Sequence, residues 1–168
     1  SDPAKKETAK TETQTELRGL LREIRSLPPS KMSELDAVAG MKCAEAVEDP
    51  SATVEFAKSV RNLNPKNDEY TLPLVRALSQ LKEMDEAESV ASAADATFPA
   101  SAKSRGCHMV LFINLRNAGR FEMAQKQLEK HIEHVISNCS SSDEVSVPIL
   151  IRFLSETYDK LSESRRFQ

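Results

Sequence analysis

The sequence predicts an all-α protein, a solenoid of about eight helices stacked as antiparallel pairs. First, every segment after residue 13 repeats its large apolar residues three or four positions apart, which is the spacing of one helix face. Second, 5% of the residues are aromatic, none is Trp and only 4 are Gly, whereas strands favour aromatic and β-branched residues with Gly-rich turns. Third, very short turns separate the apolar segments, which favours antiparallel neighbours.

Prolines, glycines and capping residues set the boundaries of the predicted helices. Residues 1–12 contain no large apolar residue, so we expect a disordered tail that cannot bury enough surface to offset its ordering entropy. Thr13 and Glu16 then have the spacing of a capping box at the start of the first helix. The predicted helices cover residues 13–27, 33–47, 49–63, 68–81, 85–98, 101–117, 120–137 and 146–162.

These helices are expected to form one domain, residues 13–168. The last helix carries apolar residues around much of its circumference between Val147 and Leu161. It therefore either caps the stack or continues into further repeats, in which case the chain is a fragment of a longer array. The pairs occupy about 33–63, 68–98 and 101–137, and the helices at 13–27 and 146–162 flank them.

Three of the predicted helix pairs share a pattern at the turn that joins their two helices. A large apolar residue followed three positions later by Ala occurs at Met84–Ala87 and again at Phe121–Ala124. Thr53 occupies the equivalent position one pair earlier. Each of the three positions is followed four residues later by another apolar residue, so the pattern extends into the second helix of each pair.

The spacing of this pattern resembles that of a known helical repeat. Pro65 and Pro99 are 34 residues apart, and 34 is the period of the tetratricopeptide repeat. In that family a small residue opens the second helix, as Ala87 and Ala124 would here. The resemblance covers about residues 33–137 and implies a right-handed solenoid whose first helices line a concave groove. A generic helical bundle with an accidental alignment is the alternative.

The resemblance also implies which residues face the groove. They combine aliphatic side chains with four cations and one carboxylate, which suits a partner segment that carries acidic and aliphatic residues. We therefore expect a non-enzymatic scaffold or adaptor that binds a partner peptide or helix. The groove positions are Leu35, Val38, Lys42, Glu69, Leu72, Arg76, Gln80, Met109, Ile113, Arg116, Asn117 and Arg152.

The sequence also bears on two other interaction modes of helical repeat proteins. Chaperone-binding members of the family hold a C-terminal carboxylate with Lys, Asn and Arg, but Val38, Leu72 and Gly106 stand at matching positions here, so that clamp is missing. The alternative function is an assembly module that self-associates through the apolar C-terminal helix, giving a homo-oligomer.

Charge, hydropathy and cysteine usage argue against several classes of protein: nucleic-acid-binding, membrane-spanning and disulfide-rich. The net charge of −3 and the pI of about 5.7 make nucleic-acid binding unlikely. No apolar run approaches the ~18 residues that a membrane span needs. Cys43, Cys107 and Cys139 are odd in number and widely spaced, which argues against a disulfide framework and for a reducing compartment, cytoplasmic or nuclear.

The sequence offers little for catalysis or metal binding. His131 and His134 lie three apart with Cys139 nearby, but no CxxC or HExxH motif accompanies them. Cys107 and His108 are adjacent, and neighbours on a helix point about 100° apart, which makes a poor nucleophile–base pair. We therefore expect no catalytic residues, no metal and no cofactor, and no response of the melting temperature to EDTA.

Overall fold

The computed structural model describes the backbone of residues 3–137 and 147–166, and the side chains of residues 12–137 and of most of 151–163. Within this part of the chain all regular structure is helical, which confirms the predicted fold class. Two single 3-10 turns, Pro29–Lys31 and Asp68–Tyr70, precede α2 and α4. The helices are α1 (Pro3–Arg25), α2 (Glu34–Ala46), α3 (Pro50–Leu63), α4 (Thr71–Gln80), α5 (Met84–Thr97), α6 (Ala102–Asn117), α7 (Phe121–Ser137) and α8 (Val147–Arg166).

Side-chain caps start the helices where the sequence predicts. The Ser33 hydroxyl accepts from the Asp36 amide while the Asp36 carboxylate accepts from the Ser33 amide, which forms a capping box at α2. The Asp49 carboxylate caps α3, with Pro50 in its first turn. The Ser101 hydroxyl caps α6. These caps satisfy amides that no helical partner can reach, and so they fix the helix starts.

The first helix differs from the prediction. α1 begins at Pro3, ten residues before the expected start, and it continues through Thr13 and Glu16, so these two residues do not form an N-terminal capping box. Residues 3–12 are therefore helical, whereas the sequence predicts a disordered tail over residues 1–12. The segment before Thr13 is rich in Ala, Lys and Glu, whose high helix propensity supports helix without apolar burial.

The helices stack in chain order. α2 pairs with α3, α4 with α5, and α6 with α7, while α1 packs on α2 and α8 packs on α7. α4 also packs directly on α6 of the next pair. We call α2, α4, α6 and α8 the first helices and α3, α5 and α7 the second helices. One continuous apolar core runs through the described pairs.

Burial repeats along this core with the spacing that the sequence predicts. Ala87 and Ala124 are fully buried and Thr53 is nearly so, which places all three at the crossing of the two helices in their pair. The same spacing relates Met41, Val75 and Phe112 on the first helices, and all of these side chains are buried. Each pair therefore uses the same helix faces for packing.

The turns inside the three pairs are also equivalent. Glu48, Lys82 and Gly119 each have a positive φ, of 57°, 68° and 74°. The residue after each of them donates its amide to a carbonyl five positions back: Asp49 to Ala44, Glu83 to Leu78 and Arg120 to Leu115, all at 2.9 Å. A left-handed residue thus closes the first helix of every pair and reverses the chain.

Gly40 allows the closest approach in the first pair. A Cβ at this position would lie 2.7 Å from two carbon atoms of the Phe56 ring. Because Gly40 has no side chain, the fully buried Phe56 ring lies directly on the α2 backbone.

Candidate partner-binding face

The first helices present a repeating row of exposed side chains. Lys42, Arg76 and Ile113 are exposed and are separated by 34 and 37 residues, the same intervals that separate Thr53, Ala87 and Ala124. Gln80 and Asn117, also 37 residues apart, are exposed near the ends of α4 and α6. We call the surface formed by these five residues the first-helix face.

A second row lies beside the first-helix face and is partly buried. Val38, Leu72 and Met109 follow the same intervals and pack against the apolar core. Leu72 reaches toward α6, where its methyl carbon lies 3.4 Å from the position of a Cβ on Gly106. These three predicted groove residues therefore contribute to packing between helices as well as to the surface.

Two aliphatic side chains of the predicted groove are well exposed. Leu35 near the start of α2 is 77% exposed, and Ile113 in α6 is 46% exposed. Ile113 is thus a surface residue, whereas its neighbours Phe112 and Leu111 on the same helix are buried. Exposed aliphatic residues between cations are typical of surfaces that bind amphipathic segments.

Three predicted cations form ion pairs with carboxylates. Arg76 of α4 lies 3.2 Å from Glu45 of α2. Arg116 of α6 lies 2.9 Å from Glu156 of α8, which Arg152 of the same helix also contacts at 2.9 Å. Hydrogen bonding from Arg152, assisted by the charges of both arginines, lowers the pKa of Glu156. The partners of Arg76 and Arg116 are not evident from sequence, because 31 and 40 residues separate Arg76 from Glu45 and Arg116 from Glu156.

The predicted carboxylate, Glu69, belongs to a junction between pairs. Lys103 at the start of α6 lies 2.6 Å from Glu69 and 3.1 Å from Asp68. The Ser101 hydroxyl donates to Asp68 at 2.6 Å and, together with Lys103, lowers the pKa of this carboxyl group. Glu69 therefore helps to fix α6 against the 3-10 turn before α4.

A small pocket lies next to the first-helix face. It has a volume of about 100 Å3 and is formed where the α2–α3 turn meets α4. Arg76 and Gln80 line one side, and Glu45, Glu48 and Pro73 are also in its wall. The pocket extends the face toward the turn between α2 and α3.

The structure does not group the histidine residues that the sequence suggests as a metal-binding pair. His131 and His134, expected as neighbours, contact different groups: the His131 ring donates to the Arg105 carbonyl at 2.9 Å, and His134 lies 3.1 Å from Asp95. Burial lowers the pKa of His131. Cys139 lies outside the described residues.

Cys107 is poorly suited to act as a nucleophile. Its side chain is fully buried, and its Sγ atom lies 3.2 Å from the Lys103 carbonyl. Burial raises the pKa of this thiol to about 12, with a smaller contribution from the charge of Asp95. The adjacent His108 turns away and contacts Asp95 and Gln127. The structure therefore does not form a Cys107–His108 dyad.

Comparison with known proteins supports the fold. No family model and no curated protein sequence match the chain. A solved structure, the crystal structure of MamA, superposes with a TM-score of 0.58 over 99% of this chain and 98% of that chain. The two chains share a fold. MamA is a helical repeat protein of the tetratricopeptide type, and its 15% sequence identity to this chain supports similarity of the fold alone.

Among the described residues, no helix has both the length and the apolar composition that crossing a membrane requires.

Proposed function

We propose that this protein is a non-enzymatic scaffold or adaptor that binds a segment of another protein along the first-helix face. The observation that carries the proposal is the row formed by Lys42, Arg76 and Ile113, which exposes two cations and one aliphatic side chain at equivalent positions of three consecutive pairs. A row at repeat spacing can contact one elongated partner at regular intervals.

Helix packing supports a concave shape for this face. Where the second and third pairs meet, the first helices α4 and α6 pack directly on each other. A stack whose first helices lie closer together than its second helices bends toward the first helices. The partner would then lie inside the curve.

The ion pairs on this side indicate how an acidic partner could bind. Arg76 is 50% exposed and Glu45 is 30% exposed, so solvent screens their attraction. Exposed pairs of this kind stabilise proteins by only about 0–1 kcal/mol. A carboxylate of the partner can therefore replace Glu45 beside Arg76 at little cost in free energy. A second partner carboxylate can replace Glu156 beside Arg116 in the same way. The preferred partner segment carries acidic and aliphatic residues.

Charge reversal tests the electrostatic part of the proposal. Lys42→Glu with Arg76→Glu should weaken a captured partner by about 10-fold or more at low salt, because attraction becomes repulsion. The control is Lys58→Glu, which breaks the 2.8 Å Lys58–Glu86 pair between the second helices α3 and α5. Partners from a pull-down are identified first, and their affinity is then measured over a range of salt. Normal affinity of the double variant at low salt would place the binding surface elsewhere.

Substitution of an exposed aliphatic residue tests the apolar part of the proposed binding surface. Ile113→Asp should abolish partner binding while the thermal melt changes little, because Ile113 is already 46% exposed. Ile136→Asp is the matched control, since Ile136 is 70% exposed on the second helix α7. Equal loss of binding in both variants would contradict the assignment of the first-helix face.

A second candidate function is self-association through α8. Ile151 is 60% exposed and Tyr158 is 46% exposed on this helix, which favours a further apolar contact. Light scattering after size exclusion distinguishes the two functions. A concentration-dependent oligomer that Ile151→Asp converts to a monomer would favour the assembly module. If the wild type and the Ile151→Asp variant are both monomers, the adaptor is favoured.

A further inference from the structure

All three histidines of the chain lie near the junction of α5, α6 and α7, and two of them contact one carboxylate. The Nε2 atom of His108 in α6 lies 2.8 and 2.9 Å from the two carboxylate oxygens of Asp95 in α5. The Nε2 atom of His134 in α7 lies 3.1 Å from Oδ1 of the same carboxylate. The two imidazole rings stack with their centroids 5.6 Å apart. Three helices from two consecutive pairs thus direct their side chains to one point.

A chain of hydrogen bonds fixes the proton on His108. The Gln127 amide donates from Nε2 to the Glu88 carboxylate at 2.7 Å, and because a carboxylate only accepts, the Gln127 oxygen must face His108. That oxygen lies 2.8 Å from Nδ1 of His108, so Nδ1 carries the proton and donates it. Nε2, the ring nitrogen that faces Asp95, is therefore the atom that is placed to bind a metal ion.

This arrangement is typical of histidines that bind metals. A ligating imidazole usually donates its other N–H to an oxygen acceptor, which fixes its tautomer and orientation. Gln127 supplies that acceptor for His108. Ser104 plays a comparable part for the carboxylate, because its hydroxyl donates to Oδ1 of Asp95 at 2.8 Å. His108, Ser104 and Gln127 are all buried, so these orientations are held by packing as well as by hydrogen bonds.

The separations of the three candidate ligands fit a small transition metal. One donor atom from each of Asp95, His108 and His134 can be chosen so that all lie within 4.8 Å of one another. Around tetrahedral Zn2+ with bonds of about 2.0–2.1 Å, neighbouring ligand atoms lie roughly 3.3 Å apart. The Nε2 atoms of His108 and His134 lie 2.9 and 3.1 Å from Oδ1 of Asp95, which is only a few tenths of an ångström shorter. Small side-chain rotations would therefore make room for the ion.

The cluster is reachable from solvent on one side. The His108 side chain is fully buried, whereas His134 and Asp95 are 17% and 24% exposed. His134 also lines a surface pocket of about 460 Å3 together with Pro99 and Glu133. An ion can enter past His134, and a water molecule can occupy a fourth ligand position.

From this geometry we propose that Asp95, His108 and His134 form a binding site for a divalent transition metal, with Zn2+ as the ion that the donor set favours. Two imidazole nitrogens and one carboxylate suit Zn2+ better than Mg2+ or Ca2+, which prefer oxygen ligands. The bound ion would join α5, α6 and α7. The proposal reverses the expectation from sequence that the chain binds no metal, and it is independent of partner binding on the first helices.

Titration of Zn2+ into the metal-free full chain tests the proposal. We expect saturable binding of one equivalent and, at about 100 times the dissociation constant, a rise in melting temperature of roughly 5–10 °C. EDTA should reverse the rise, and Mg2+ or Ca2+ should not produce it. Absence of saturable Zn2+ binding at 100 times the protein concentration would overturn the proposal and leave a purely hydrogen-bonded cluster.

Substitutions locate the site within the chain. Asp95→Asn and His134→Ala should each weaken Zn2+ binding about 100-fold or more, since even residues behind the ligands contribute 10–100-fold. His131→Ala is the matched control, because His131 lies on the same helix as His134 but contacts the Arg105 carbonyl. Wild-type affinity in Asp95→Asn and His134→Ala would show that Zn2+ binds elsewhere and would overturn the proposal.

A measurement on the unchanged chain avoids any effect of substitution on folding. Histidine-ring nitrogen NMR spectra report which nitrogen atoms bind the ion. We expect Zn2+ to shift Nε2 of His108 and His134 strongly while the Nδ1 resonance of His108 stays that of a protonated nitrogen. A strong shift confined to His131 would contradict the assigned ligands.

Discussion

The first and third helix pairs place opposite chemistry at equivalent core positions. Ala37 and Phe56 in the first pair correspond to His108 and Gln127 in the third, each 71 residues later. All four side chains are buried. In the first pair the contact between the helices is apolar, whereas in the third His108 and Gln127 share a hydrogen bond of 2.8 Å.

The difference shows that the pairs share the same helix packing, whereas the polarity of the buried side chains differs between them. The same positions remain buried at the same intervals, so the helix crossing does not depend on apolar side chains at every site. It does require that polar groups find partners. Among the described residues, every buried side-chain nitrogen and oxygen atom has a hydrogen-bond partner. A polar core position is therefore accepted only as part of a complete network.

The largest expected effect is in the apolar pair. Phe56→Ala should lower the free energy of unfolding by about 3–5 kcal/mol, because it leaves a cavity against Gly40 that the helix backbone cannot fill. Val90→Ala, at the equivalent position of the middle pair, removes a smaller side chain and should cost less. Denaturant unfolding of both variants measures the difference. Equal losses would contradict the special role of the Phe56–Gly40 contact.

The next effect should be common to two pairs. Ala87→Leu and Ala124→Leu should each lower the free energy of unfolding by about 1–3 kcal/mol through overpacking where the two helices cross. Ala93→Leu is the control, because Ala93 is exposed on α5. If the melts of the first two variants match that of the wild type, the shared crossing geometry is wrong.

A smaller effect should distinguish the polar pair. Gln127→Leu should cost about 1–2 kcal/mol, because the buried Nδ1 proton of His108 and the Glu88 carboxylate lose their partner. The double variant His108→Leu with Gln127→Leu should recover part of this loss, since both ends of the hydrogen bond are then apolar. The double-mutant cycle is measured by denaturant unfolding at neutral pH. Strictly additive losses would mean that the His108–Gln127 bond contributes little.

The smallest effect appears only in alkali. Cys107 and Asp36 occupy equivalent positions, but Ser33 lowers the pKa of the exposed Asp36 carboxyl, whereas burial raises the pKa of the Cys107 thiol from 9.0 to about 12. Above pH 9 the unfolded chain loses the thiol proton while the folded chain keeps it, so stability falls as the pH rises. Compared with Cys107→Ala, the wild type should lose stability steadily as the pH rises from 9 to 11, which denaturant unfolding at several pH values measures. Parallel pH profiles would contradict this assignment.

Local signals made the fold predictable from sequence. Helix starts depend on Ser33, Asp49 and Ser101, which cap through residues two or three positions away. The repeat spacing likewise located Ala87 and Ala124 at the helix crossings. The start of α1 differs from the prediction because the apolar stripe begins only at Leu17, whereas helix propensity extends the helix to Pro3.

The polar clusters were not predictable in the same way. Asp95 and His134 are separated by 39 residues and come together only because α5 and α7 both pack around α6. The sequence suggests a pair of His131 and His134 instead, because their spacing on one helix is a local signal. The ion pairs of Arg76 and Arg116 escaped notice for the same reason. A signal was nevertheless available: His108 occupies a repeat position that is buried in every pair.

The three equivalent turns show where the chain is locally frustrated. Each requires a left-handed residue, but only the third supplies Gly119, while Glu48 and Lys82 adopt the same conformation with a Cβ present. A side chain in this region costs roughly 1–2 kcal/mol, and the stack holds the two residues there against their own preference. Replacing Glu48 and Lys82 by glycine would remove this strain, so the sequence retains stability that has not been optimised and that could be recovered at two turns without altering the core.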